Sequence, residues 1–335
     1  MKNQSYNYFR PKLELWTNVY FLVTVVIFLG LSPLLHFLEQ QGVFLPITIQ
    51  LWLPQLFILG AGLLYKLLFR VPKRALGYRK MDLWSWFLMI PLTWCFMPLI
   101  GLINFVSRQF VTQKMVNVMQ GLLLLDLPYL LLLFLIAVMP AISEELFFRG
   151  VLANVYLRPR GILKASLLSG LLFGAFHLNI NQFMYATVLG IIFVFVLEGT
   201  GSLYATMLSH FLLNGQSVTL LALLRAITRD LPQLSKSFLD KQLLQEQLNK
   251  SRPGQIGVVL LMILFLLALS VLGCWLGYLL YRYICKRNHR WEHVCRNFNP
   301  RPICRSASAG SRLSLAVYWS AMLIMLLVMI LREVG

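Results

Sequence analysis

Apolar runs long enough to cross a bilayer recur along almost the whole chain, and the polar breaks between them are short. About 20 predominantly apolar residues suffice for a spanning helix. Such runs lie near 15–38, 43–65, 83–106, 127–155, 162–179, 182–198, 202–224, 256–284 and 313–331. The pattern predicts an all-α polytopic membrane protein, a bundle of about eight to nine transmembrane helices, with any count from seven to nine compatible. The spread has two sources. The fifth and sixth runs are short and nearly fused, and Pro46 and Pro54 in the second predict a kinked or partly re-entrant helix. The opening residues lack the small-residue cleavage site of a signal peptide, so the first run is read as a retained anchor.

One run is interrupted by charge. Between Leu127–Met139 and Val151–Leu157 stands Ser143-Glu144-Glu145-Leu146-Phe147-Phe148-Arg149. An ionised side chain within a spanning helix costs roughly +2.5 to +3.5 kcal/mol on insertion scales unless it is paired or meets water. Glu145 and Arg149 stand at i and i+4 with the acid first, the favourable order for an ion pair on one helix face. Glu144 points about 100° away and has no such partner. It must find a group on another helix, meet water in a cavity, or hold a proton, and these are the circumstances of a general base.

Lys and Arg set the orientation. Six fall in 66–80, three in 158–164 and eight in 282–312, whereas 36–42 and 180–182 hold none. The positive-inside rule then places the N-terminus and these basic segments in the cytoplasm of a multi-pass cell-membrane protein. The segment 225–252 fits less well, because it carries six basic residues yet alternation puts it outside. The net charge of +18, in a chain that is 59% hydrophobic and only 13% charged, is therefore mostly topological. Its expected partners are the lipid bilayer and anionic headgroups. Nucleic acid is not expected, since no soluble basic module with stacking aromatic residues is present.

Few other polar residues could reach Glu144. The fifth run carries Phe173-Gly174-Ala175-Phe176-His177, and the seventh carries His210-Phe211-Leu212-Leu213-Asn214. Counted from a turn at 158–161, Glu144 and His177 lie about 24 and 25 Å along their helices, so they meet at similar depth. His210 and Asn214, at i and i+4, share a face. Gly170 and Gly174 give the fifth run a GxxxG spacing that permits close approach to a neighbouring helix. Taken singly, each feature also has a structural explanation: Glu145 and Arg149 as a buried pair, His177 as a bonded core residue, His210 and Asn214 as interhelical glue.

In combination the residues resemble a known family. Glu144-Glu145-x-x-x-Arg149, Phe173-x-x-x-His177 and His210-x-x-x-Asn214, in that order on three apolar segments over roughly 127–224, are similar to the three motifs of the CPBP intramembrane proteases. That family includes type II CAAX prenyl endopeptidases and bacteriocin-processing or self-immunity proteins. The resemblance implies hydrolysis of a peptide bond in a membrane-associated protein or peptide. Glu144 and His177 would activate the water, His210 and Asn214 would stabilise the oxyanion, and Glu145 with Arg149 would be a supporting ion pair. No cofactor and no metal are expected, because the oxyanion role of His210 and Asn214 works without one. The family has also been classed among metalloendopeptidases, so zinc on the two histidines and Glu144 is the alternative, although H-E-x-x-H is absent. The functional alternatives are a catalytically silent scaffold or bacteriocin self-immunity protein and, from a third class, a transporter.

The remaining organisation divides into four parts: N-terminal spans in 1–126, the motif-bearing core in 127–224, an amphipathic extramembrane segment in 225–255 with Leu231, Leu234, Leu239 and Leu248 at helical spacing, and C-terminal helices in 256–335 with a basic loop at 285–312. That loop gathers Cys285, His289, His293, Cys295 and Cys304. A basic patch at the membrane surface is the expectation there. A zinc site with His289 and His293 on one helix face, or acylation at Cys285, are the alternatives.

Overall fold

The computed structural model describes residues 13–108, 111, 127–230, 253–298 and 309–334, and these residues are helical without strands. The helices are α1 (Leu13–Gln40), α2 (Ile47–Leu68), α3 (Leu83–Cys95), α4 (Met97–Ser107), α5 (Tyr129–Leu157), α6 (162–176), α7 (Ile180–Thr200), α8 (Leu203–Asp230), α9 (Pro253–Arg287), α10 (Trp291–Asn297) and α11 (Ala309–Val334). A single 3-10 turn at Lys73–Leu76 follows α2. Eight of the described segments are long and apolar enough to cross a membrane, with α3 and α4 forming one span, Leu83–Ser107, hinged at Phe96. The chain is thus a multi-pass membrane protein.

Two expectations are revised. The run at 162–179 does form a helix, but α6 stops at Phe176 and is about 22 Å long, short of the roughly 30 Å hydrocarbon layer. The second run is neither broken nor re-entrant. Pro46 caps α2 from outside, where its missing N–H costs nothing, and the helix continues through Pro54. Most of the proposed amphipathic segment, 231–252, and Cys304 lie outside the described residues, while 225–230 extend α8.

α5 is the central element. In its most apolar window 56% of residues are buried, against 11–39% in the other seven spans. α2, α6 and α8 pack around it, α1 pairs with α11, and α9 lies against α3 and α4. α5 and α6 are separated by Gly161, whose φ of +75° lets the chain reverse where a side chain would be strained. α7 begins after a second reversal, with Asn179 accepting the Gln182 N–H as its N-cap.

Polar contacts bring the basic segments to one end of the bundle. Arg160 binds Glu14 at 2.6 Å, Arg287 binds Asp82 at 3.0 Å, and Arg290 binds Glu198 at 3.3 Å. Backbone bonds from Leu203 to Gly77 and from Leu163 to Phe298 join the same end. Asp82 sits outside the spans and caps α3. The Ser85 hydroxyl bonded to it, and secondarily Arg287, hold its carboxyl below its ordinary value.

α6 and α7 approach through glycine, as the GxxxG spacing predicts. A Cβ on Gly170 would stand 2.8 Å from the Thr187 carbonyl, one on Gly174 would stand 2.7 Å from the Phe183 carbonyl, and one on Gly190 would stand 2.6 Å from Gly170 Cα. Backbone atoms cannot rotate away, so the added methyl must push the helices apart. Gly174→Ala and Gly170→Ala are each expected to destabilise the folded protein by about 1–3 kcal/mol. Thermal unfolding in detergent, with Gly60→Ala as the control because nothing lies within 4 Å of it, checks this.

Candidate active site

The geometry of α5 departs from a regular α-helix in the segment that carries the charges. Phe134–Val138 and Glu145–Ala153 are π-helical, with Met139–Glu144 α-helical between them. π-helical turns are rare and concentrate at functional sites. Pro140 accounts for part of this, because it has no N–H to offer the Ile136 carbonyl four residues back. Asn214 of α8 supplies the missing donor, its Nδ2 reaching Ile136 O at 3.1 Å. The third motif therefore clamps the helix that bears the first.

Below that clamp lies a buried cluster of charge. Glu145 Oε1 accepts from Arg149 Nη1 at 2.9 Å and from His210 Nδ1 at 2.8 Å. Glu145 and Arg149 are wholly buried, and His210 is 6% exposed. The expected pair has formed, and a histidine from α8 has joined it. The guanidinium lies 4.0 Å from the centre of the Phe173 ring and 5.0 Å from that of Phe193, so aromatic faces replace water around the cation. With His210 Nδ1–H donating to Glu145, the other ring nitrogen, Nε2, is turned toward Glu144 Oε2 at 3.9 Å.

Glu144 is held differently. Its Oε1 accepts from Gln55 Nε2 of α2 at 3.0 Å, and Gln55 Oε1 in turn accepts from Ser143 Oγ at 2.5 Å. That second bond orients the amide so that its N–H₂ faces the carboxylate. Glu144 Oε2 makes no hydrogen bond among the described residues. His177, at the C-terminal end of α6, gives its Nδ1 proton to Phe173 O at 2.9 Å, which leaves Nε2 as the basic nitrogen.

Glu144, Gln55 and His177 line one cleft of about 550 Å³, together with apolar residues such as Phe28, Ile58 and Phe176. Glu144 and His177 thus share one cleft. His210 and Asn214 do not line the cleft; they stand on α8, bonded to Glu145 and Ile136. Of the six sequence-selected residues, Arg149 and His210 contact Glu145, His177 shares the cleft with Glu144, and Asn214 bonds Ile136 of the same helix. Gln55 and Ser143 escaped selection. Gln55 did carry a signal, being a polar side chain within an apolar run, but spacing could not say which helix it faced.

A zinc ion needs several His, Cys or carboxylate donors converging on one point. Among the described residues no group of three such side chains does so. The histidine pair in the basic loop also fails to converge. His289 sits in the turn before α10 with a φ of +55°, off the face of His293, and His293 Nε2 instead binds Glu198 at 2.8 Å.

Residues 126–216 match the family model "Type II CAAX prenyl endopeptidase Rce1-like". The match agrees with the resemblance to CPBP proteases carried by the three motifs, and it contains Glu144, Glu145, Arg149, His177, His210 and Asn214. It supports the role of a CAAX-type membrane protease in general terms. No curated protein and no solved structure matches the chain.

The Asn214 bond predicts a compensating pair. Asn214→Ala leaves the Ile136 carbonyl without its side-chain donor and should lower stability by about 1–3 kcal/mol. Adding Pro140→Ala restores a backbone N–H to that carbonyl, so the double variant should be more stable than Asn214→Ala alone. Unfolding midpoints of the four proteins in one detergent complete the cycle, and strict additivity would disprove the clamp.

Proposed function

We propose that the chain is an intramembrane endopeptidase acting on membrane-associated proteins or peptides, with Glu144 as general base and His177 as its partner. The observation that carries this reading is that Glu144 and His177 line one cleft, each with an atom left over by its own hydrogen bonds. Glu144 Oε2 has no hydrogen bond, and His177 Nε2 is freed by the bond that Nδ1 makes to Phe173 O. A water between them would lose a proton as it attacks the scissile carbonyl, and that proton would then pass to the leaving amine.

Charge balance supports a second role on α8. The buried set holds two carboxyls, Glu144 and Glu145, against Arg149 and His210, and a proton on His210 Nε2 would complete it. His210 Nε2–H would then be a donor beside the reacting carbonyl. Asn214 uses one N–H on Ile136 and keeps a second for the oxyanion. As the cleft stands neither lines its wall, so this role requires substrate entry to part Glu144 from α8. Glu145 and Arg149 are the supporting pair. No step in the reading uses a metal. The protein would lie in the cell membrane with its N-terminus and basic end in the cytoplasm.

The test compares all polypeptide termini in membranes carrying the natural chain with those carrying Glu144→Gln at equal protein level. Termini absent from the Glu144→Gln membranes establish proteolysis and name the substrate. Identical termini, with the variant still supporting whatever the cell requires of the protein, would replace the protease with the scaffold. Gln55→Leu should slow the same cleavages on the order of 10- to 100-fold, because it frees the carboxylate to leave its attacking position while the base remains present.

A further inference from the structure

The cleft is not symmetric across the membrane. Its walls come from the C-terminal half of α1, the N-terminal half of α2, the turn between α6 and α7, and Arg332 near the end of α11. These parts all lie toward the end of the bundle where α1 finishes and α2 begins. There the lining reaches His36 and Glu39, whose side chains are 72% and 40% exposed. In the other direction Glu144 is backed by packed rings and aliphatic chains: Phe147, Phe148, Leu152 and Tyr156 are each at most 1% exposed. Beyond them come the Glu14–Arg160 contact and the basic segments. The cleft therefore opens at one end only.

The two ends differ sharply in charge. Among the described residues, 15 Lys and Arg fall in 66–80, 158–164, 282–298 and at Arg312, which gather at the closed end, and four, Arg108, Arg225, Arg229 and Arg332, lie toward the open end. Arg149 is the one buried between. The positive-inside rule assigns the richer end to the cytoplasm.

We propose that the Glu144 cleft is entered from the outward face of the membrane and receives polypeptide segments displayed there, either flanks of membrane-anchored proteins or peptides already translocated. A C-terminal tail in the cytoplasm would meet the packed end and could not reach Glu144. What happens after entry rests on the proteolytic reading; the route of entry does not.

The experiment uses two full-length chains, each retaining a single cysteine. One has His36→Cys at the open end of the cleft. The other keeps the native Cys295, which is exposed on α10 at the closed end. A membrane-impermeant maleimide is added to intact cells, with any outer membrane permeabilised, and again after lysis. The cysteine of the His36→Cys chain should react in intact cells and Cys295 only after lysis. The reverse pattern overturns the proposal. Where Glu144→Gln removes termini, those termini should map to outward-facing segments, and cleavage in cytoplasmic tails overturns it equally. Outward labelling with no Glu144-dependent termini would uphold the route of entry while removing the protease.

Discussion

The structure depends on one physical necessity, which is that Arg149 cannot be ionised inside the bundle without an acid on its own helix and aromatic faces on others. Glu145 supplies the acid, and Phe173 and Phe193 supply the faces. A charge left unpaired at this depth would cost several kcal/mol. α5 must therefore be enclosed on several sides, and it is the most buried span. The enclosing helices are those that bring His177, His210 and Gln55 toward Glu144.

The glycine contact between α6 and α7 serves the same requirement. Phe173 belongs to α6 and Phe193 to α7, and the two rings lie against one guanidinium because Gly170, Gly174 and Gly190 let the backbones close. A small-residue stripe in a membrane protein acts by permitting close approach. Here that approach also sets the electrostatic surroundings of a charge. His210, tilted against Phe193 and edge-on to Phe173, shares the aromatic walls.

Much of this was legible in the sequence. Hydropathy gave the spans because lipid leaves the backbone few options, and the i, i+4 spacing gave the Glu145–Arg149 pair. Glu144 and His177, which counting put at similar depth, line one cleft. What the sequence did not show was whatever depends on facing between helices. Gln55 and Ser143 carry no spacing signature toward Glu144, and His210 was not expected to bond Glu145. The π-helical stretches were equally hidden, since the geometry around Pro140 is settled by a donor 74 positions later on α8. Spacing rules describe one helix at a time, whereas an active site is a relation among several.

The turn at 177–179 has a further meaning. α6 ends early, Leu178 takes a φ of +53°, and both His177 and Leu178 face the cleft. Helical backbone that breaks off within a membrane exposes groups that lipid cannot satisfy, so such breaks persist only where protein or water surrounds them. The break thus marks a place where the fold holds lipid back. Under the proteolytic reading, whose second substrate is water, the early end of α6 would leave the cleft beside His177 open to solvent rather than to lipid.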